Sequence, residues 1–358
     1  MIKLTRKPEA PFGKELMMQL AAIIAALAAA GIVMAVMGHN PFKVYIQIVN
    51  GALGSAYRVK GMFNKVIPLT ILSLGVAVAF KMKFWNIGAE GQMAMGAFGA
   101  SYIALNYGQL PALVLLPLMF AAAAVWGGLW ALIPALLKTR LDTSETLVTL
   151  MLNYIALKWI TYLQYGPWKD GAFPKIASFN ANAILPGFLG IHIGWVIALV
   201  LALIIHVLLT RTKLGYEIAV IGESRTTAKY SGINVMKIIV VTMLISGALC
   251  GVTGMIQASA VEKTLNSNIT GGLGFTAVIT TWLGRLSAPG VVLTSFLFGL
   301  LLQGGSFLET SMRISASVAQ MLQGLIIFFV LGSEFFLQYK VSLVREKKAG
   351  GAGEKEAA

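Results

Sequence analysis

Charge, cysteine and histidine are all scarce in this 358-residue sequence. Only 12% of its residues are Asp, Glu, Lys or Arg, about half the ~25% of an ordinary soluble domain. The single cysteine, Cys250, excludes an intrachain disulfide and leaves no thiolate cluster for zinc. Three histidines, His39, His192 and His206, are scattered along the chain and argue against an imidazole-built metal site. The Gly-x-x-x-x-Gly-Lys-Ser/Thr loop that cradles ATP phosphates is missing as well. Together these shortages exclude a secreted disulfide scaffold, a zinc module and a typical cytosolic enzyme.

What is present is hydrophobic. Apolar residues make up 57% of the chain, and mean hydropathy is +0.79. One soluble core of this size cannot bury that excess, so the solvent is a bilayer. Ten apolar runs approach the ~20 residues that a spanning helix needs. They cover 16–37, 64–80, 88–107, 112–137, 145–164, 191–210, 238–258, 272–284, 290–306 and 314–336. The eighth is short and bounded by glycine, as a broken or re-entrant helix buried in protein would be. The expected fold is all-α: a polytopic membrane helical bundle of about ten transmembrane helices. It occupies 1–344 as one domain, followed by a disordered cytoplasmic tail at 345–358.

The net charge of +14 arises from 28 basic and 14 acidic residues. In a soluble protein it would point to nucleic acid. Here it reads as topology. With the N-terminus inside and ten crossings, 19 of the 28 basic residues fall on the cytoplasmic side and 9 outside. That bias is the positive-inside rule, so both termini are expected in the cytoplasm, with lipid rather than nucleic acid as the surroundings. The first run is longer than the ~7–15 residues of a signal-peptide core, so it reads as a retained span.

Polar residues at membrane depth need a reason. Glu90 opens the third run within Asn86-Ile87-Gly88-Ala89-Glu90-Gly91-Gln92. A carboxylate there fits either a cap on the helix dipole or a place beside a solute path. Gly88, Gln92, Gly96 and Ala100 share one face of that helix, and small faces let membrane helices approach closely. Asp142-Thr143-Ser144-Glu145 is a capping signature for the fifth run. Asn153 must bond across helices or face water. Gln257, Phe275, Thr276, Thr280, Thr281 and Trp282 continue an uncharged, hydrogen-bonding and aromatic set. The chains of buried charge expected of proton relays and ion pumps are absent, which favours a neutral polar solute. Between the sixth and seventh runs, a two-turn helix is expected with Ser224 as its cap, ending at Ser231-Gly232. An isolated helix so short is marginal, so it docks on something.

Residues 222–235 resemble the coupling segment of ABC importer permeases of the ribose and branched-chain amino acid group. Three further stretches resemble the permeases of nucleoside and simple-sugar importers. They are Phe84-Trp85-Asn86-Ile87-Gly88-Ala89-Glu90-Gly91-Gln92, the run from Glu145 to Ala156 containing Asn153, and Gly272-Leu273-Gly274-Phe275-Thr276 followed by Leu283-Gly284. The resemblance covers about residues 38–335 in consistent order. It implies a non-catalytic permease subunit in a prokaryotic cell membrane, passing a nucleoside or simple sugar inward by alternating access. ATP and magnesium would be held by separate cytoplasmic ATPase subunits, with no cofactor, metal or catalytic residue in this chain. An extracytoplasmic binding protein would deliver the solute, and a second permease, a copy or a paralogue, would complete the assembly. The implied solute pathway is Asn86, Glu90, Gln92, Asn153, Phe275, Thr276 and Trp282. The implied ATPase-coupling loop is Gly222, Glu223, Ser224, Arg225, Ala228, Lys229, Tyr230 and Gly232. A secondary transporter of a small neutral solute is the competing reading.

Overall fold

The computed structural model describes residues 2–6, 24–25, 27–188, 190–312 and 339–343, with isolated positions between 318 and 329. The chain divides into a small unit, Met1–Val44 with Ser317–Ala358, and a large one, Tyr45–Ala316. In the small unit, β1 (Ile2–Arg6) pairs antiparallel with β4 (Tyr339–Leu343), Ile2 opposite Leu343 and Arg6 opposite Tyr339. That unit also holds the helix α1 (Leu27–Val36). The run 314–336 and the tail 345–358 lie outside the described residues, apart from those isolated positions.

Residues 38–63, between the first two expected runs, are mostly helical. Asn40 accepts hydrogen bonds from the backbone N–H groups of Phe42 and Lys43 at 3.0 and 3.3 Å and starts α2 (Pro41–Leu53). Proline in first position costs that helix no hydrogen bond. Ser55 then caps α3 (Ala56–Lys81), which begins eight residues before the expected 64. Arg58, Lys60 and Lys65 interrupt the apolar run and so conceal the first turns. Lys65 is accommodated because its Nζ donates to the Leu302 carbonyl at 3.1 Å and to Ser306 at 2.6 Å.

Except for Lys213–Glu223, where no helix was expected, the remaining helices fall close to the expected runs. They are α4 (Ala89–Asn106), α5 (Ala112–Leu141), α6 (Glu145–Tyr165) and α7 (Gly194–Arg211). Then come α8 (Lys213–Glu223), α9 (Arg225–Tyr230), α10 (Val235–Ile256), α11 (Leu273–Leu283) and α12 (Ala288–Ser311). A π-helical turn, Gln257–Glu262, extends α10. Among the described residues, six helices are long and apolar enough to cross a bilayer, or seven if Leu27–Val36 and Pro41–Leu53 form one bent span. Helix α4 is walled in by protein, and α11 has only 11 residues, about 16 Å against a ~30 Å hydrocarbon layer. The chain is mostly helical, with short strands pairing at β1–β4 and at β2–β3 (Gly187–Phe188 with Ile191–His192).

Helix α4 lies at the centre, buried along almost all of 89–101. It rests on α10 through Gly96 and Gly251, while the other side of Gly251 meets Ala123 and Gly127 of α5. None of these contacts leaves room for a Cβ. Backbones thus touch directly, which provides dispersion contact where lipid gives no hydrophobic drive. The loop between α6 and α7 is fixed to the π-turn: Ser259 Oγ donates to the Ala183 carbonyl at 2.5 Å and accepts from the Leu185 N–H at 3.0 Å.

Candidate functional site: a junction of two buried helix starts

The polar residues of the 86–92 motif converge on one point. The amides at a helix N-terminus have no partner within the helix. Inside a bilayer protein each must be satisfied by other protein groups or by trapped water. Two such ends, those of α4 and α11, meet at Glu90. This carboxylate is 2% exposed. Its Oε1 accepts from the Gly272 N–H at 3.0 Å and its Oε2 from the Gly274 N–H at 2.6 Å. The Thr270 hydroxyl and the Phe275 N–H also bond to it. Gly274 packs directly on the Glu90 backbone. Gly271 and Gly272 both adopt positive φ, 54° and 76°, which brings the descending loop sharply into α11.

Glu90 is therefore a cap, as one sequence reading held, but chiefly of another helix. Its own helix begins at Gly88 with no side-chain cap. One negative charge sits between two positive dipole ends, which neutralises both. Asn153 and Asn86 finish the work on α4. Asn153 Oδ1 accepts from the Gly91 N–H at 2.8 Å, and its Nδ2 donates to the Ile87 carbonyl at 2.9 Å. Asn86 Oδ1 accepts from the Gly88 N–H and from Gln92 Nε2, each at 3.0 Å. Its Nδ2 donates to Gln92 Oε1 at 3.2 Å and to Ser246 at 3.1 Å, and Ser246 donates to the Gly75 carbonyl at 2.7 Å. A second ladder joins α11 to its neighbours. Ser73 and Thr280 hydroxyls lie 2.5 Å apart, and Thr281 and Thr294 donate to the carbonyls of Ser73 and Thr280 at 2.9 Å each.

The structure brings Asn86, Glu90, Gln92 and Asn153 together but commits their polar atoms to one another and to backbone. Phe275 and Thr276 sit at the same junction: Phe275 is half exposed, and Thr276 donates to the Gly272 carbonyl at 3.2 Å. Trp282 lies at the far end of α11. It stacks on Trp85 at 5.6 Å between ring centroids, with Phe80 at 5.8 Å. Sequence reasoning passed over Trp85 as a site residue, although it lies inside the motif.

The loop after α7 folds as expected at its short helix. Ser224 caps α9 through the Thr227 N–H at 3.2 Å, and Gly232 with φ 76° ends it. Glu223, Arg225, Lys229, Tyr230 and Gly232 are exposed, Tyr230 at 89%. Gly222 and Ala228 are buried, and Gly222 abuts the Lys81 carbonyl at the end of α3. They hold the loop against the bundle rather than face outward. On the same side, Lys138 bridges Asp142 at 2.9 Å and Glu145 at 3.1 Å, and holds the exposed Asp142 carboxyl below its usual range. Among the described residues, no group of His, Cys, Asp and Glu could hold a metal.

Bilayer-length apolar helices around interrupted ones, with a polar junction inside, define a multi-pass membrane protein of the transporter class. Residues 59–331 match the family described as branched-chain amino acid transport system / permease component, and the chain belongs to that family. It is 31% identical to the glucose ABC transporter permease protein TsgB13 of Haloferax volcanii, over 92% of this chain and 90% of that protein. It is likewise 31% identical to the guanosine ABC transporter permease protein NupP of Bacillus subtilis, over 93% of this chain and 98% of that one. The nucleoside ABC transporter permease protein NupB of Lactococcus lactis is 28% identical, over 96% and 98% respectively.

Proposed function

We propose that this chain is the permease subunit of an ATP-driven importer that carries a nucleoside or a simple sugar across a prokaryotic cell membrane. The observation that carries this reading is similarity along nearly the full length to permeases named for glucose, guanosine and nucleosides. Geometry adds support. The single carboxylate at the junction is fully engaged by backbone amides, so the α11 dipole is already neutralised and offers little to an anionic solute.

In this reading, α9 and the flanking Glu223, Arg225, Lys229 and Tyr230 dock on separate ATPase subunits that hold ATP and magnesium. Nucleotide-driven closure tilts the helices above α9, and hydrolysis resets the cycle; this chain performs no chemistry of its own. A second permease subunit completes the path, and an outer binding protein delivers solute. Reconstitution of the whole transporter in vesicles tests the proposal. ATP-dependent, binding-protein-dependent uptake of labelled nucleoside or glucose is expected. Uptake by the permease alone would overturn it in favour of a secondary transporter.

A further inference from the structure

The junction leaves open where a solute touches this chain, because its polar side chains are already bonded to one another or to backbone. The outer face of α6 has the opposite character. Helix α6 has 21 residues, about 31 Å, which matches the ~30 Å hydrocarbon layer. Tyr154 lies near its middle. Lys158 lies seven residues, ~10 Å, from its outer end. Both are exposed, with Trp159 and Tyr162 beside them at 40% and 58%. Among the described residues, Lys158 has no ion-pair or hydrogen-bond partner. A lysine at the centre of a lipid-facing helix costs ~2.5–3.5 kcal/mol, and depth relieves this only partly here.

These four side chains and Ile155 line an open groove of about 560 Å³. The groove is also pre-organised. Trp159 is held edge-on by Phe98 at 6.0 Å and lies 5.7 Å from Tyr162. Phe98 is itself stacked on Trp168 at 5.4 Å. Flat aromatic faces beside the unpaired Lys158 ammonium suit a polyhydroxylated ring or a nucleobase, whose polar groups need partners while its faces stack.

We propose that the outer face of α6 is a wall of the water-filled solute path, where Tyr154, Lys158, Trp159 and Tyr162 contact a neutral polar ring. This rests on the import reading above. The test uses the assembled transporter in vesicles, where buried Cys250 leaves a low thiol background. Single cysteines are placed at Tyr154, Lys158 and Tyr162, and, as lipid-facing controls, at Leu199 and Leu203 of α7. Each is reacted with a charged, membrane-impermeant thiol reagent. A thiol in hydrocarbon stays protonated and unreactive. The α6 positions are expected to react about tenfold faster or more, a difference of ~1.4 kcal/mol, and to be shielded by transported nucleoside or glucose. Equal, slow reaction at α6 and α7 would overturn the proposal and show a lipid face. Fast reaction without shielding by solute, together with cross-links between permease subunits, would overturn it in favour of a protein seam. ATP-dependent uptake measured in the same vesicles separates these failures from failure of the import reading itself.

Discussion

Helices α6 and α7 both present one face to the outside of this chain; both faces expose aliphatic residues, and α6 alone adds Tyr154, Lys158, Trp159 and Tyr162 to Leu147, Met151 and Ile155. The α7 face is aliphatic through Leu199, Val200, Leu203, Ile204 and Val207, with His206 near its inner end. Its groove, shared with α8, measures about 570 Å³, nearly the same as the α6 groove. Both grooves are lined mostly by apolar surface, aromatic at α6 and aliphatic at α7, and the polar groups of α6 are its tyrosine hydroxyls and the Lys158 ammonium. Leucine and valine match lipid tails, whereas Tyr154, Lys158 and Tyr162 match water and polar solutes. The difference also runs through α6 alone: Asn153 and Tyr154 are neighbours, yet one faces the junction and the other faces out.

The largest effect is expected at that pair. Asn153→Leu strands the Gly91 N–H and the Ile87 carbonyl in a dry interior, at ~1–3 kcal/mol per unsatisfied group. A loss of about 3 kcal/mol in unfolding free energy is expected, read from denaturant melts in detergent. Tyr154→Leu should stay within ~0.5 kcal/mol of the parent in the same assay. Equal destabilisation by both would erase the distinction between the two faces of α6. Exchanging the character of the outer faces comes next. Leu203→Lys should reduce membrane insertion by ~2–3 kcal/mol, while Tyr154→Lys should leave it nearly unchanged; quantitative insertion assays compare them directly. A smaller effect is expected on transport. Tyr162→Leu should keep the fold but lower the specificity of uptake about tenfold, or ~1.4 kcal/mol, with no change for Val200→Ala.

Helix positions were legible in the sequence because apolar runs and their caps are local. Ser224 and Gly232 bound α9, and Ser144 with Glu145 opens α6, as local pattern implied. The partner of Glu90 was not legible. A first-turn carboxylate looks the same whether it caps its own helix or one 182 residues away. Gly88–Gln92 and Gly271–Thr276 are both Gly-rich helix starts, and the two meet in space. Residue type could mark Asn86, Gln92 and Asn153 as important, but not say that their bonds are spent on backbone. Tyr154 and Lys158 passed unremarked for the converse reason: only burial reveals which face of a helix has no protein behind it.

The comparison can be extended to the outer loop, where each helix meets solvent. Trp168 closes the end of α6 by stacking on Phe98, a contact without ionisable groups. At the start of α7, β3 carries His192, which is buried with neither ring nitrogen hydrogen-bonded among the described residues. Burial lowers its pKa from 6.5 to about 4. The unfolded chain thus takes up this proton first as pH falls. The contribution of neutral His192 to stability is complete above pH 6.5 and is lost as pH drops from 6.5 toward 4. The slope cannot exceed ~1.4 kcal/mol per pH unit for one group. His192→Phe fills similar space without a titrating site, so its melting temperature should fall less than the parent's between neutral pH and pH 5. Trp168→Phe should leave that pH dependence unchanged. Parallel pH profiles for parent and His192→Phe would mean that the ring is hydrated in solution, and that the α7 end is as open to water as the α6 groove.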